Sequence, residues 1–348
     1  MTNIKDIAKH LGVSVSTVSR AINNHSDVSK ETKRQVMEAI REFNYRPNAI
    51  AKGLIQKKTF TIGLLIPDIS DPFFSALANA VEEMLFEYGY QVVYGNANRN
   101  PDKEKQFIAN AISRQFDGLI ITPDSLDPEL IHLISELQMP VVFLRRRTPK
   151  ELSIPFVDVD HYQAACTAVN YLIELGHKQI GFIGMPEKSF TGSERLRGFK
   201  DTMNKHRIVW GTDDIVVGGR TIEHGRDAMD KLHRRSPELT AIFAANDLLG
   251  IGALEWLAVN RISVPEEISI IGFDNLEYAD LHWIQLTTME QPRVEMGNRA
   301  ARLLLDMIND KDNSKEFTAH NIEDSSVVPP SELIEARLIE RKSCRPLG

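Results

Sequence analysis

The chain has 348 residues, with Lys+Arg 41 against Asp+Glu 48 and a formal net charge of -7 at pH 7. That length corresponds to roughly two domains, and 42% hydrophobic with 26% charged residues excludes wholesale disorder and collagen-like character. No apolar run approaches the roughly 18 residues that span a bilayer, and the N-terminus lacks an apolar signal core; a cytoplasmic protein without membrane contact is expected. Cys166 and Cys344 stand far apart without metal-ligand spacing, so neither a disulfide framework nor a metal site is indicated.

Net acidity alone argues against nucleic acid, but the charge is segregated. Residues 1–58 hold eleven basic and five acidic side chains, a net +6, which leaves -13 for the remainder of a -7 chain. A basic head on an acidic body points to a nucleic-acid contact confined to one end. Within the head, Ile4, Ile7, Ala8 and Leu11 recur at helical spacing, with Asn3 placed as cap and Gly12 as stop. Ser14 caps a second helix carrying Val15, Val18 and Ile22 to about residue 23, and only Gly12-Val13-Ser14 separates the two, a turn of helix-turn-helix length. Ser29 caps a third helix, whose Val36, Ile40 and Phe43 close a small core. The exposed side of the second helix carries Val15, Ser16, Thr17, Ser19 and Arg20: small groups that fit against base edges, and one guanidinium able to take guanine O6 and N7 together. Beyond it, Pro47 ends the third helix, and residues 48–56 suffice for about two helical turns. Gly53 costs that segment about 1 kcal/mol of helix propensity, so it is expected to fold on contact.

The run IKDIAKHLGVSVSTVSRAIN (4–23), followed by YRPNAIAKGL (45–54), resembles the lactose/galactose repressor (LacI/GalR) family of bacterial transcription regulators, and the similarity covers almost the whole chain. The resemblance implies base readout by Val15, Ser16 and Arg20, and phosphate contacts from Ser14, Thr17, Ser19, Asn23, Thr32 and Tyr45. It also implies a hinge helix (Asn48, Ala49, Ala51, Lys52) that enters the minor groove with Leu54 as the wedge opening a base step. The organisation expected is a helix-turn-helix domain at 1–46, a hinge at 47–58, and an effector-binding and dimerisation domain at 59–340. The last divides into an N-subdomain (about 59–160 plus 292–321) and a C-subdomain (about 161–291 plus 322–340).

From residue 59 onward strand and helix alternate. Strands are expected at 61–66, 91–94, 118–122, 141–144, 180–183, 214–217, 241–245 and 268–273; helices at 73–88, 102–115, 128–137, 164–175, 193–205, 223–233 and 248–260. Short apolar strands between helices of ten or more residues imply two doubly wound parallel sheets, an α/β body resembling the periplasmic sugar-binding fold. Ligand groups in such folds sit at the carboxyl ends of strands. Those ends supply Asp71, Phe73, Phe74, Arg145, Asp160, Arg195, Arg220, Asn246, Asp247, Asp274 and Gln291. The family's ligand positions correspond to Phe73, Phe74, Arg195, Asn246 or Asp247, Asp274 and Gln291.

Two departures bear on the ligand. Where the family usually has Asp after the fourth strand this chain reads Leu144-Arg-Arg-Arg147, and where members often stack an aromatic ring on the ligand it has Arg220. With Arg195 that brings three guanidiniums toward one crevice, which suits a carboxylate or phosphate better than a neutral sugar. The chain carries no GxxxxGK[ST], HExxH or GxSxG; Gly250-Ile-Gly252 lacks the third glycine of a dinucleotide fingerprint, and close helix packing explains it better. An enzyme is not expected, nor any cofactor. The expected partners are a pseudo-palindromic DNA operator, a small effector and a second copy of the chain, since the C-terminus has no heptad for tetramers. Two other readings stand beside it: a cytosolic sensor without DNA, and control by a phosphorylated carrier protein, for which Arg299 and Arg302 are favourable and Asp306 and Asp310 are not.

Overall fold

In the computed structural model, the described residues are 3–22, 24–45, 58–123, 126–149, 152–313 and 331–347. The chain divides into two units, Met1–Thr59 and Phe60–Gly348. In the first, α1 (Ile4–Leu11), α2 (Val15–Ile22) and α3 (Lys30–Glu42) form where their caps dictate. Asn3 and Asp6 make a reciprocal capping box, and Gly12 ends α1 at φ 65. Ser14 Oγ accepts from Thr17 N at 3.0 Å, and Ser29 caps α3 through Thr32 N. Ile7, Ala8, Val18, Ala21, Val36 and Ala39 make the buried core, too small to be robust alone.

The second unit is two α/β lobes. The first contains β1 (Thr61–Ile66), α4 (Pro72–Glu87), β2 (Gln91–Asn96), α5 (Pro101–Ser113), β3 (Gly118–Ile121), α6 (Pro128–Ser135), β4 (Val141–Leu144) and β5 (Phe156–Val159). The second contains α7 (His161–Glu174), β6 (Ile180–Gly184), α8 (Phe190–Lys205), β7 (Ile215–Val217), α9 (Ile222–Arg235), β8 (Ala241–Ala244), α10 (Asp247–Val259), β9 (Ser269–Asp274) and β10 (Thr287–Glu290). The chain then returns to the first lobe through α11 (Arg293–Asn313) and β11 (Glu332–Ile334), and ends on the second with β12 (Arg337–Ile339). The strand orders, β2-β1-β3-β4-β5-β11 and β7-β6-β8-β9-β10-β12, are the same pattern twice. Every pairing is parallel except β12 against β10.

The body strands and helices expected from the sequence all form, within a few residues. Helices α7 and α8 start earlier than expected because Asp160 and Ser189 cap them, accepting from Gln163 N and Gly192 N. Strands β5, β10, β11 and β12 were not foreseen. The last return to the second lobe also comes later than residue 322: β11 pairs with β5 and Ile334 is buried in the first lobe's core, so the crossing falls between Ile334 and Arg337. Three-residue strands carry too little periodicity to place it. The tail beyond residue 340 is sewn into the second lobe, Ser343 Oγ donating to Ile270 O (2.5 Å) and accepting from Thr287 N (2.8 Å).

Two features of the second lobe set its stability. A Cβ on Gly252 would meet the Ile222 carbonyl oxygen at 2.0 Å, and one on Gly225 the Leu249 carbonyl oxygen at 2.3 Å. Gly252 and Gly225 therefore serve close packing of α9 on α10, while Gly250 lies against Leu286 and Ala244. Beside it, fully buried Asp247 clamps two segments, Oδ2 accepting from Leu276 N (2.7 Å) and Oδ1 from Thr288 Oγ1 (2.6 Å). Burial, reinforced by nearby Asp274, pushes its carboxyl up to about 7.

Gly252→Ala is expected to destabilise the body by about 1–3 kcal/mol or more, read from guanidinium unfolding. Asp247 binds its proton more tightly folded than unfolded, so its contribution is full below pH 3.8 and is lost as pH rises through about 7. Unfolding free energies measured between pH 4 and 7 should therefore fall with pH more steeply in the parent than in Asp247→Asn, by about 1.4 kcal/mol per unit.

Candidate functional site

Each lobe splits its chain direction at one place, between β1 and β3 in the first and between β6 and β8 in the second, and in open α/β sheets ligands bind at such points. Residues from both lobes meet there. Pro67, Thr122, Arg145 and Arg146 face Ser189, Phe190 and Thr191 across a recess of about 20 Å³, room for about one water.

On α8, the helix that supplies Phe190 and Thr191, Arg195 is fully buried. Its Nη1 donates to the Ala245 carbonyl and lies 3.6 Å from Asp274 Oδ1. Its Nη2 is 3.3 Å from His161 Nδ1, and its guanidinium carbon sits 3.6 Å from the centre of the Phe273 ring. Since Nδ1 of His161 receives that donor, Nε2 carries the proton toward Asp158 Oδ1 at 3.1 Å. Burial holds His161 neutral, at about 4, and pulls Arg195 down to about 9, still a cation at neutral pH. Gln291 Nε2 donates to Asp274 Oδ1 at 2.5 Å, and burial raises the Asp274 carboxyl. Asp274 stands at φ 123 with Asn275 at φ 53, a costly backbone fastened from several sides: Arg293 Nη2 donates to Asn275 O, Arg341 Nη2 to Asn275 Oδ1, and Asn275 Nδ2 to Glu290.

Arg145 comes to the same place from the first lobe. It too is left-handed, at φ 60, and its guanidinium carbon lies 4.5 Å from the Phe73 ring centre and 5.2 Å from that of Phe74. Both rings are also core, packed edge to face. No carboxylate lies within ion-pair distance of Arg145 among the described residues. Several buried atoms here lack a hydrogen-bond partner: Arg145 Nε, Arg195 Nε, Gln291 Oε1, Asp158 Oδ2 and Thr122 Oγ1. Buried polar atoms are nearly always paired, so this cluster makes the place a candidate binding site.

The structure thus gathers Phe73, Phe74, Arg145, Arg195, Asp274 and Gln291 into one centre. The others are employed around it. Asp71 caps α4 through Phe73 N and lies 3.6 Å from Arg99; Asp160 caps α7 and pairs with Arg147 at 3.1 Å. Asn246 caps α10 and donates to the Arg220 carbonyl at 3.1 Å; Asp247 is the clamp described above. Asp158 and His161, on either side of Asp160 at the crossover, carry no motif in the sequence; only the fold brings His161 to Arg195 and Asp158 to His161. No group of three His, Cys, Asp or Glu side chains able to hold a metal occurs among the described residues. Arg299 on α11 is bound to Glu295 (2.5 Å) and to Glu332, leaving Arg302 exposed.

In the head, Val18 and Ala21 turn inward, and Val15, Ser16 and Arg20 are exposed. Ser14 Oγ lies 2.7 Å from Ser16 Oγ and 2.8 Å from Thr17 Oγ1, a hydroxyl cluster at a helix N-terminus, where anionic oxygens are favoured. Ser19 is half-buried; Thr32 Oγ1 lies 2.8 Å from Ser29 Oγ; Tyr45 packs against the core. Asn23 and the hinge positions Asn48, Ala49, Ala51, Lys52 and Leu54 lie outside the described residues. Asp27, not foreseen, sits with Oδ2 3.0 Å from Arg20 Nη1.

Comparison with known proteins agrees with both halves. Residues 3–48 match the family described as bacterial regulatory proteins, lacI family, and residues 59–327 match periplasmic binding proteins and sugar binding domain of LacI family. The chain is 35% identical over 323 residues to catabolite control protein A of Priestia megaterium, covering 92% of this chain and 97% of that one. It is 36% identical over 305 residues to the HTH-type transcriptional repressor CytR of Escherichia coli K12, covering 88% and 89%. A solved structure, the transcriptional regulator CelR in complex with cellobiose, superposes with TM-score 0.72 at 28% identity, covering 99% of this chain and 100% of that one. The chain belongs to the LacI family: it is a DNA-binding transcription regulator of the carbohydrate-related kind, and not an enzyme.

Proposed function

We propose that the chain is a repressor that binds a pseudo-palindromic operator as a homodimer and is controlled by an anionic small molecule, a sugar acid or sugar phosphate, held between the body's lobes. The observation that carries the effector reading is Arg145. Of the guanidiniums at the crevice, Arg195 is answered by Asp274 and Arg147 by Asp160, while Arg145 lies on two aromatic faces with no carboxylate partner and an unpaired buried Nε. A ligand carboxylate or phosphate would satisfy that donor with a charge-assisted bond. A ligand that also bonds Arg195 Nε and Gln291 Oε1 would reach groups from both lobes. The recess as it stands has room for about one water, so entry of a sugar-sized molecule requires the lobes or Arg145 to move, and ligand affinity is then coupled to lobe geometry.

The operator reading rests on the exposed Val15, Ser16 and Arg20 and on the +6 head, whose phosphate contacts make affinity fall steeply with salt. The dimer reading is supported by a groove of about 290 Å³ on the second lobe, lined by Leu254, Ala258, Ile262, Trp283 and Ile284 among others. Trp283 is 92% exposed and Val259 76%, apolar side chains that a second copy would cover.

Calorimetric titration with uronates, sugar phosphates and neutral sugars is expected to give binding to an anionic class, weakened about tenfold or more by Arg145→Gln; tight binding of neutral sugars alone would sink the anionic reading. Trp283→Asp is expected to shift the body from dimer to monomer in sedimentation velocity at micromolar concentration.

A further inference from the structure

We propose that Asp27 is a specificity-determining residue of the head: its carboxylate holds the Arg20 guanidinium in the orientation that reads a base pair, while its charge penalises every other approach to DNA. The inference rests on Arg20 being a base reader. Arg20 stands in the last turn of α2 and Asp27 in the loop before α3, with Nη1 and Oδ2 3.0 Å apart and side chains 57% and 48% exposed. Neither is part of the core, and pairs this exposed contribute little to folding. The pair is nevertheless placed with care. His25 N donates to Arg20 O at 3.0 Å, turning the chain back at the end of α2. Lys33 Nζ holds both the carbonyl (3.2 Å) and the side-chain oxygen (2.8 Å) of Asn24, which sits at φ 55. Val28 packs against the core and Ser29 caps α3, so Ser26 and Asp27 lie in a short span anchored at both ends.

Arginine has five donors in a rigid fork. A carboxylate on one of them leaves others to take guanine O6 and N7 and removes the rotamers that would let the side chain settle on a phosphate. The same carboxylate lowers the positive potential that supplies sequence-independent binding. Losing it should therefore move the two kinds of binding in opposite directions, a signature that a purely structural role does not produce.

The test uses the full-length chain, a duplex selected by it from a randomised library, all single-base variants of that duplex, and a random-sequence duplex of equal length, by fluorescence anisotropy at fixed salt. Arg20→Ala is expected to lower discrimination at one base pair per half-site about tenfold or more. Asp27→Asn should lower discrimination at that same base pair about threefold or more while raising affinity for the random duplex about twofold. In the Arg20→Ala background, Asp27→Asn should leave discrimination unchanged. If Arg20→Ala alters no base preference, the reading of Arg20 itself fails. If Arg20→Ala does so but Asp27→Asn leaves discrimination intact, or shifts all sequences in the same direction and proportion, the role assigned to Asp27 is overturned.

Discussion

A fully buried guanidinium organises the body of this protein. Arg195 cannot lie uncharged or unpaired in a dry interior without a penalty of several kcal/mol, and its surroundings answer that demand. The Ala245 carbonyl, the Asp274 carboxylate, the neutral ring of His161 and the face of Phe273 share it. These come from strand ends of the second lobe and from the crossover, and Asp158 at the end of β5 in the first lobe supports His161 in turn. Asp274 meets Arg195 from a backbone conformation that side chains avoid, and Arg293, Arg341 and Glu290 fasten the next residue.

The repeated strand order makes this possible. Both lobes end their switch-point strands at the crevice, so residues far apart in the chain, such as Thr122 and Thr191, line the same recess. With three chain crossings between the lobes, a change in their spacing is shared by all three. Arg293, at the second crossing, touches Asn275 beside Asp274, which puts crevice and lobe-connecting residues within one hydrogen-bond cluster.

Charge divides the molecule's work in a complementary way. The head carries net positive charge on a scaffold whose core is only a handful of aliphatic residues, a design in which phosphate attraction supplies affinity and a few exposed side chains supply choice. The body is strongly acidic, and in its crevice the basic residues are mostly matched by carboxylates. The excess found there is local, at Arg145, and does not follow from the totals.

Much was legible in the sequence by itself. Helix caps at Asn3, Ser14 and Ser29, the helical period of Ile4, Ile7, Ala8 and Leu11, and the apolar strands between amphipathic helices are local signals, and each produced the element it implied. The rule that strand ends carry ligands also led to Arg195 and Asp274, which the fold brings together in one buried cluster. What only the tertiary structure decided was partnership. Asp71, Asp160, Asn246 and Asp247 looked equivalent to Asp274 as polar residues at strand ends, yet caps and clamps occupy the first four, because a helix start or a buried amide nearby claims whichever oxygen is in reach. Asp158 and His161 gave no pattern, since their meaning depends on a guanidinium 34 residues beyond His161 arriving in the same buried space. Sequence patterns set which groups can ionise or bond; the fold, through distance and exclusion of water, sets which of them remain available to a ligand.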